Sequence, residues 1–203
     1  MKYMKAIIVY ILIAGIMVIA AGCIGNKGGN NSNNDSEIEK AIASRVNSFK
    51  EAVEDYDVEK MLDFLFEDEF VLNIEEGSSY QKDYSTLVDE LKEDEGKQLY
   101  WRRTTEGGGN GYILYMELEE IVYTNTSSTG SIVTVPFTIK EEAANIPRIV
   151  TDTGTMVCDM VKLKGEWYCQ SMTIHFNTGE IAAQGITNKN RKVSGFGFGN
   201  LCF

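Results

Sequence analysis

The residues best suited to chemistry lie in one stretch, VCDMVKLKGEWYCQSMTIH, which holds two of the four cysteines and the only histidine. Cys158, Cys169 and His175 are the residue types of a zinc site or of a cysteine nucleophile with its base. However, six residues of strand at ~3.3 Å each separate Cys169 from His175 by about 20 Å. Zinc ligands lie within ~2.3 Å of one ion, so we predict neither a metal site nor a Cys–His pair.

The two cysteines remain candidates for a disulfide. A four-residue loop at 162–165 places Cys158 directly opposite Cys169, where Cβ atoms lie ~4.5–5.5 Å apart. A two-residue loop at Lys164–Gly165 makes the pair diagonal instead. We predict the disulfide, because export to an oxidising compartment permits it, with two buried free thiols as the alternative.

The same strand register sets His175 opposite Asp152. An aspartate and a histidine in a pocket are the parts of a general base, so both residues are catalytic candidates. The simpler interpretation, which we favour, is a histidine hydrogen-bonded near the end of a strand.

The run QLYWRRTT joins aromatic and basic residues in a predicted strand. Tyr100, Trp101 and Arg102 are candidate ligand-binding residues for an aromatic or anionic molecule, and Trp167 in the last hairpin is a fourth. The simpler interpretation is sheet packing, with arginine stems covering apolar surface. We predict no cofactor.

Apolar spacing divides the chain into helices followed by strands. Ser36 and Glu39 form a capping box, and apolar residues then recur at helical spacing to about Glu54. The later pattern predicts a short helix from Asp57, a strand at 70–74, a helix from Asp83 to Gly96, strands at 98–105, 112–123 and 131–142, and a final hairpin around Lys164–Gly165. Helices ahead of an antiparallel meander predict an α+β domain.

The element order, the short acidic helix DVEKMLDFL and the hairpin motif K-x-x-G-E-W-Y resemble the NTF2-like (SnoaL-like, cystatin-like cone) superfamily between Ile38 and Phe176. The resemblance implies three N-terminal helices packed on a curved antiparallel sheet of about five to six strands, with a conical pocket. The superfamily includes isomerases, dehydratases, ligand binders and dimerising domains without activity. No catalytic motif aligns residue by residue with this sequence, and fold alone does not give function.

The N-terminus has the parts of an export signal. Lys2 and Lys5 precede an uncharged apolar run that closes with Ala-Ala-Gly before Cys23. This pattern resembles the lipobox of prokaryotic lipoproteins, in which the cysteine is lipidated after the signal is removed. We therefore predict a signal peptide at 1–22 and lipidation of Cys23; an uncleaved transmembrane anchor is the alternative. Either anchor holds the protein on the outer face of the cell membrane.

The remaining chain divides by composition. Residues 23–35, rich in Gly and Asn, are predicted to be a flexible linker, 36–177 the folded domain, and 178–203 a flexible tail. Asn125 lies in an N-x-[ST] triplet and is a glycosylation acceptor if the host glycosylates. Cys202 has no predicted partner.

The charge balance excludes one class of partner. The chain carries a net charge of −11, and without Lys2 and Lys5 it has 17 basic and 30 acidic residues. Nucleic-acid binders need a basic surface, so we expect no nucleic-acid partner. Our leading hypothesis is an anchored protein that binds a small ligand or a protein partner without catalysis. The alternatives are a lyase or isomerase that uses a pocket acid or His175, and a structural homodimer of the envelope.

Overall fold

The computed structural model describes residues 32–76, 78–102 and 109–177. The predicted signal peptide, Cys23, most of the linker, the tail and Cys202 lie outside these ranges, so those predictions are untested. Within them, no helix is long and apolar enough to cross a membrane.

Three helices form where apolar residues repeat at helical spacing. They are α1 (Ser32–Asp55), α2 (Val58–Asp63) and α3 (Tyr84–Arg102). The apolar positions of α1 are all buried, which confirms that helix: Ile38, Ile42, Val46, Phe49 and Val53. Its predicted start is wrong, because α1 begins at Ser32 and Ser36 therefore lies within the helix and not at its N-cap. Asp57 caps α2 by accepting the backbone N–H of Lys60 at 3.1 Å, which satisfies one of the free donors at the helix start.

Seven strands form one sheet. They are β1 (Val71–Glu76), β2 (Ser78–Asp83), β3 (Ile113–Leu118), β4 (Val122–Thr124), β5 (Gly130–Ala143), β6 (Ile146–Leu163) and β7 (Glu166–Phe176). Their order is β2-β1-β7-β6-β5-β3, with β4 also paired to β5. The α+β class is confirmed, but the expected antiparallel sheet of five to six strands is wrong, because β1 runs parallel to β7.

The strand predicted at 70–74, between the second and third helices, is confirmed as β1, and β2 follows it without having been predicted. Because this hairpin separates α2 from α3, the three helices do not all lie N-terminal to the sheet. The predicted strand at 98–105 is wrong over its described part, since α3 continues through Gly96 to Arg102. The burial of Leu87, Leu91 and Gln98 follows helical spacing, and this tertiary packing outweighs the helix-ending tendency of glycine.

One face of the sheet packs into the core, and we call it the concave face. On β5 the buried side chains alternate from Val133 to Glu141, and on β6 they alternate from Asp152 to Met160. Together with the apolar side of α1 they form one hydrophobic cluster. Alternation along both strands follows from the two-residue period of extended backbone.

Arg45 joins three parts of this fold. Its Nε donates to the carbonyl oxygen of Trp167 at 3.0 Å, and its Nη1 donates to Oδ2 of Asp63 at 2.8 Å. The guanidinium therefore connects α1 to the end of α2 and to the start of β7. Planar, charged donors of this kind form stronger hydrogen bonds than neutral groups do.

Candidate functional site

The predicted disulfide is not present. The two-residue turn at Lys164–Gly165 pairs Cys169 with Met160, and a bulge between Asp159 and Met160 then pairs Cys158 with Met172. Both cysteines are free thiols with no exposed surface. Burial raises the pKa of the Cys169 thiol, and the neighbouring Cys158 raises it further. A neutral, buried thiol is a poor nucleophile, so these cysteines are part of the core.

The predicted pairing of His175 with Asp152 is also wrong. In the structure His175 lies opposite Thr155, and its Nδ1 is 2.8 Å from Oε2 of Glu75 on β1. Asp152 is buried on the concave face, whereas the side chains of His175 and Glu75 are about half exposed. The alternative interpretation, a histidine paired near the end of a strand, is the one that the structure supports.

The candidate ligand-binding residues belong to two elements, α3 and β7. Trp167 is buried in the core and pairs with Lys162, ten residues along β6 from Asp152. That separation is roughly 30 Å of strand. Tyr100 and Trp101 lie in α3 rather than on a strand. Arg102, at the end of α3, reaches a cluster of ionisable side chains.

That cluster lies where the concave rows of β5 and β6 end. Glu141 continues the alternation of Ile139 on β5 and is only 6% exposed, and Asp152 opposite Ile139 is 8% exposed. A bulge after Ile139 leaves Thr151 as an extra residue on β6. Two carboxyl groups are therefore enclosed by a largely apolar core. We call Glu141, Asp152, Tyr112, Arg102 and Tyr56 the Glu141 cluster.

Glu141 holds its proton unusually strongly. Burial, together with the charge of Asp152, raises the pKa of Glu141 to about 7, although hydroxyl groups of Thr151 and Tyr112 oppose the shift. The Thr151 contact falls short of a regular hydrogen bond, because Oε1 of Glu141 and Oγ1 of Thr151 are both buried without a partner. Removing a charged carboxylate from water favours its neutral form. Glu141 can therefore donate or accept a proton near neutral pH.

Tyr112 connects the acids to the arginine. Its side chain lies beside Glu141, and its ring centre is 5.8 Å from the guanidinium carbon of Arg102. Burial raises the pKa of Tyr112, with Glu141 adding to the shift, so the hydroxyl keeps its proton. The backbone N–H of Tyr112 donates to Oδ1 of Asn110 at 3.1 Å, and the carbonyl of Asn110 accepts from Ala144 at 2.8 Å. These bonds fix the tyrosine against the end of β5.

Arg102 ends α3 between two tyrosine rings. Its guanidinium carbon is 5.7 Å from the ring centre of Tyr56, and its Nη1 donates to the carbonyl oxygen of Glu54. Burial disfavours the charged form of a side chain. It therefore lowers the pKa of Arg102 and raises the pKa of Tyr56. Nε and Nη2 of Arg102 are buried and have no hydrogen-bond partner among the described residues. Unsatisfied buried donors are costly, and they mark a place where an acceptor is missing.

Two surface features outside the Glu141 cluster are weaker candidates for a binding or catalytic site. A groove of about 360 Å³ is lined by Asn73, Glu75, Ser79, Tyr80, Gln81 and Thr173. Its amide groups bond to one another, since Gln81 donates to Asn73 at 3.0 Å. Asn125 lies exposed with a positive φ in the turn between β4 and β5, and its glycosylation stays a prediction. Among the described residues, no three His, Cys, Asp or Glu side chains are grouped to hold a metal ion.

Glu141 was not among the candidates from the sequence, although its strand carries a signal for it. The strand SIVTVPFTIKEE alternates strictly, and Glu141 occupies the position two residues after Ile139 on the apolar side. An acidic residue in an apolar row is a candidate for a shifted pKa. The approach of Arg102 could not be found in this way, because it depends on α3 reaching the cluster.

Comparison with known proteins identifies the fold. No family model matches the chain, and no curated protein matches its sequence. A candidate scytalone dehydratase from Novosphingobium aromaticivorans aligns with a TM-score of 0.56 at 13% identity, over 72% of this chain and 89% of that one. The beta subunit of a candidate aromatic-ring-hydroxylating dioxygenase from the same organism gives 0.57 at 10%, over 70% and 91%. A protein from Catenulispora acidiphila gives 0.58 at 9%, over 73% and 98%.

These likenesses confirm the resemblance drawn from the sequence at the level of fold. The described domain has the NTF2-like fold, built on a curved mixed sheet of seven strands. At such low identity the comparison extends to the arrangement of elements and not to activity.

Proposed function

We propose that this chain is an exported, membrane-anchored lipoprotein whose NTF2-like domain binds a small organic molecule at the Glu141 cluster. The single observation that carries the proposal is the buried Glu141 carboxyl group. It is held beside Asp152 and has one oxygen, Oε1, without a hydrogen-bond partner. Burying a carboxyl group without full hydrogen bonding destabilises a fold, and such costs are commonly retained where a ligand binds.

The anchoring part of the proposal comes from the N-terminal sequence. The cationic start, the apolar run and Cys23 after Ala-Ala-Gly support lipidation. Intact mass of the membrane-bound wild type should show a chain that begins at Cys23 and carries a lipid, and Cys23→Ser should carry no lipid. A wild-type chain that keeps residues 1–22 and carries no lipid would favour a transmembrane anchor instead.

Ligand binding is tested by purifying the full chain in a mild detergent and identifying retained small molecules by mass spectrometry. The wild type should retain one molecule that Glu141→Gln binds more weakly. Glu119→Gln is a matched control, because Glu119 is exposed, and this variant should behave like the wild type. Equal retention by all three proteins, or by none, would contradict binding at the Glu141 cluster.

A second candidate function is acid–base catalysis by a lyase or isomerase. The observation that favours it is the pKa of Glu141, about 7, which is near the value best suited to proton transfer at neutral pH. Incubating the retained molecule with the protein in D₂O separates the two functions. Catalysis predicts deuterium incorporation or a changed product that depends on Glu141, whereas binding alone returns the molecule unchanged.

A further inference from the structure

We infer that the small molecule bound at the Glu141 cluster carries a carboxylate group that sits on the free edge of Arg102. This inference rests on the proposed function and adds the chemical class of the ligand. The observation that supports it is the geometry of the Arg102 guanidinium group, and not the carboxyl groups of Glu141 and Asp152.

The free donors of Arg102 lie on one side of the guanidinium. Nη1 is already used, because it donates to the carbonyl of Glu54. Nε and Nη2 are the two nitrogens whose N–H groups point in parallel along the other edge, and both are buried without a partner among the described residues. Two parallel donors match the two oxygens of a carboxylate, as in bidentate arginine–carboxylate pairs.

The surroundings hold this edge in place. Tyr56 and Tyr112 flank the guanidinium, with ring centres 5.7 and 5.8 Å from its central carbon. The aromatic rings favour the cation and limit its movement. Asp55 lies near enough to favour the charged form of Arg102, but it occupies neither Nε nor Nη2. No acceptor among the described residues therefore competes with a ligand carboxylate for Nε and Nη2 of Arg102.

The carboxyl groups of Glu141 and Asp152, next to Tyr112, indicate which group the rest of the ligand carries. Tyr112, whose ring faces Arg102, also lies beside Glu141 and Asp152, so the carboxyl pair begins where the tyrosine ends. A hydroxyl, carbonyl or amine on the ligand can bond there with a carboxyl group that shares protons readily. A small organic acid with a second hydrogen-bonding group can bind both Arg102 and the carboxyl pair of Glu141 and Asp152.

Arg148 provides an internal control. Its guanidinium carbon is 3.6 Å from the ring centre of Tyr115, so it also contacts a tyrosine. However, its Nε donates to Oε2 of Glu142 at 3.0 Å and is already satisfied. An added carboxylate should therefore bind to Arg102 and not to Arg148.

The test uses the full chain in detergent with ¹⁵N-labelled arginine, followed by NMR of the Nε–H signals. Sodium acetate is the probe, with acetamide as its uncharged analogue and sodium chloride as the ionic control. We expect acetate to move the Arg102 signal in a saturable way, while acetamide and chloride do not, and the Arg148 signal stays in place. Arg102→Lys keeps the charge but loses the parallel donors, so acetate should bind at least about tenfold more weakly.

Other outcomes would overturn the inference. Equal shifts at Arg102 and Arg148 would indicate nonspecific ion binding, and no shift at Arg102 would mean that the edge is closed. If acetamide binds as well as acetate, the carboxylate assignment fails while small-molecule binding stands. The indole N–H signal of Trp167, which is buried in the core, reports whether Arg102→Lys remains folded.

Discussion

Glu141 and Asp152 lie on neighbouring antiparallel strands and are both buried on the concave side of the sheet. The charge of Asp152 adds to burial in raising the pKa of Glu141 to about 7. A charge on Asp152 makes ionising Glu141 more costly. The fold therefore keeps a proton inside the domain near neutral pH.

This retained proton makes folding stability depend on pH. In an unfolded chain Glu141 has a pKa near ~4.3, and in the folded domain the value is about 7. Between these values the folded state binds more protons than the unfolded state, so the free energy of unfolding falls as pH rises. The expected loss from about pH 5 to 8 is about 3 kcal/mol. Glu141→Gln, which carries no charge at either pH, should lack this loss in denaturant titrations.

The difference between wild type and Glu141→Gln isolates this effect from other titrating groups. We expect Glu141→Gln to gain stability relative to the wild type as the pH is raised. Glu119→Gln, at an exposed position, should follow the wild type throughout. If the stability difference between wild type and Glu141→Gln is the same in acidic and alkaline buffer, Glu141 has an ordinary pKa.

Gly154 is required by close packing on β6. An added Cβ would be 2.8 Å from Cζ of Phe137 and in closer contact with the carbonyl oxygen of His175. Because the backbone oxygen cannot move without disturbing β7, Gly154→Ala should destabilise the domain by about 3 kcal/mol or more. The measurement is the urea midpoint.

Gly96 gives the opposite result and serves as the control for Gly154. It lies exposed within α3, and no atom is within 4 Å of an added Cβ. Gly96→Ala should therefore stabilise the domain by about 0.5–1 kcal/mol through helix propensity. Equal effects of the two substitutions would contradict the packing described for Gly154.

Arg45 should contribute to stability through the three elements that it joins. Arg45→Ala removes the bonds to Trp167 and Asp63 and leaves a partly buried carbonyl oxygen unpaired, at a cost of about 1–2 kcal/mol. Lys40→Ala, at an exposed position of the same helix, should change stability by less than about 0.5 kcal/mol. Thermal unfolding of the two variants tests this, and similar Tm values would argue against the Arg45 bonds.

Cys158 and Cys169 should behave as inaccessible thiols. Because both are fully buried and unpaired, we expect iodoacetamide to leave them unmodified in the folded protein. Unfolding without a reducing agent should make both reactive, as measured by peptide mass spectrometry. Resistance of both to alkylation in the unfolded, unreduced protein would mean that they form a disulfide.

The fold could be predicted from the sequence where one pattern dominated. The apolar spacing of α1 and the alternation of β5 each led to the correct element. The sequence SSYQKD of β2 is polar except for Tyr80, so no alternation of apolar residues marked it as a strand. The aromatic residues after Gly96 suggested a strand, but packing of Leu87 and Leu91 continues the helix.

The site was less predictable, because strand register decides it. The two-residue turn at Lys164–Gly165 and the bulge after Asp159 together place Cys158 opposite Met172 rather than Cys169, and His175 opposite Thr155 rather than Asp152. Register changes of this kind leave no clear mark in the composition of either strand. Asp152 and Arg102 were candidates from the sequence, yet Glu141, which lies beside Asp152, emerged only from the folded sheet.

The most direct test of this account is a ¹³C NMR titration of the Glu141 carboxyl carbon, assigned by its loss in Glu141→Gln. We predict a midpoint of about 7 in the wild type and a lower midpoint in Asp152→Asn, where the neighbouring charge is absent. A wild-type midpoint near ~4.3, the ordinary value for glutamate, would contradict the claim that the concave face holds a proton-retaining acid for a bound molecule.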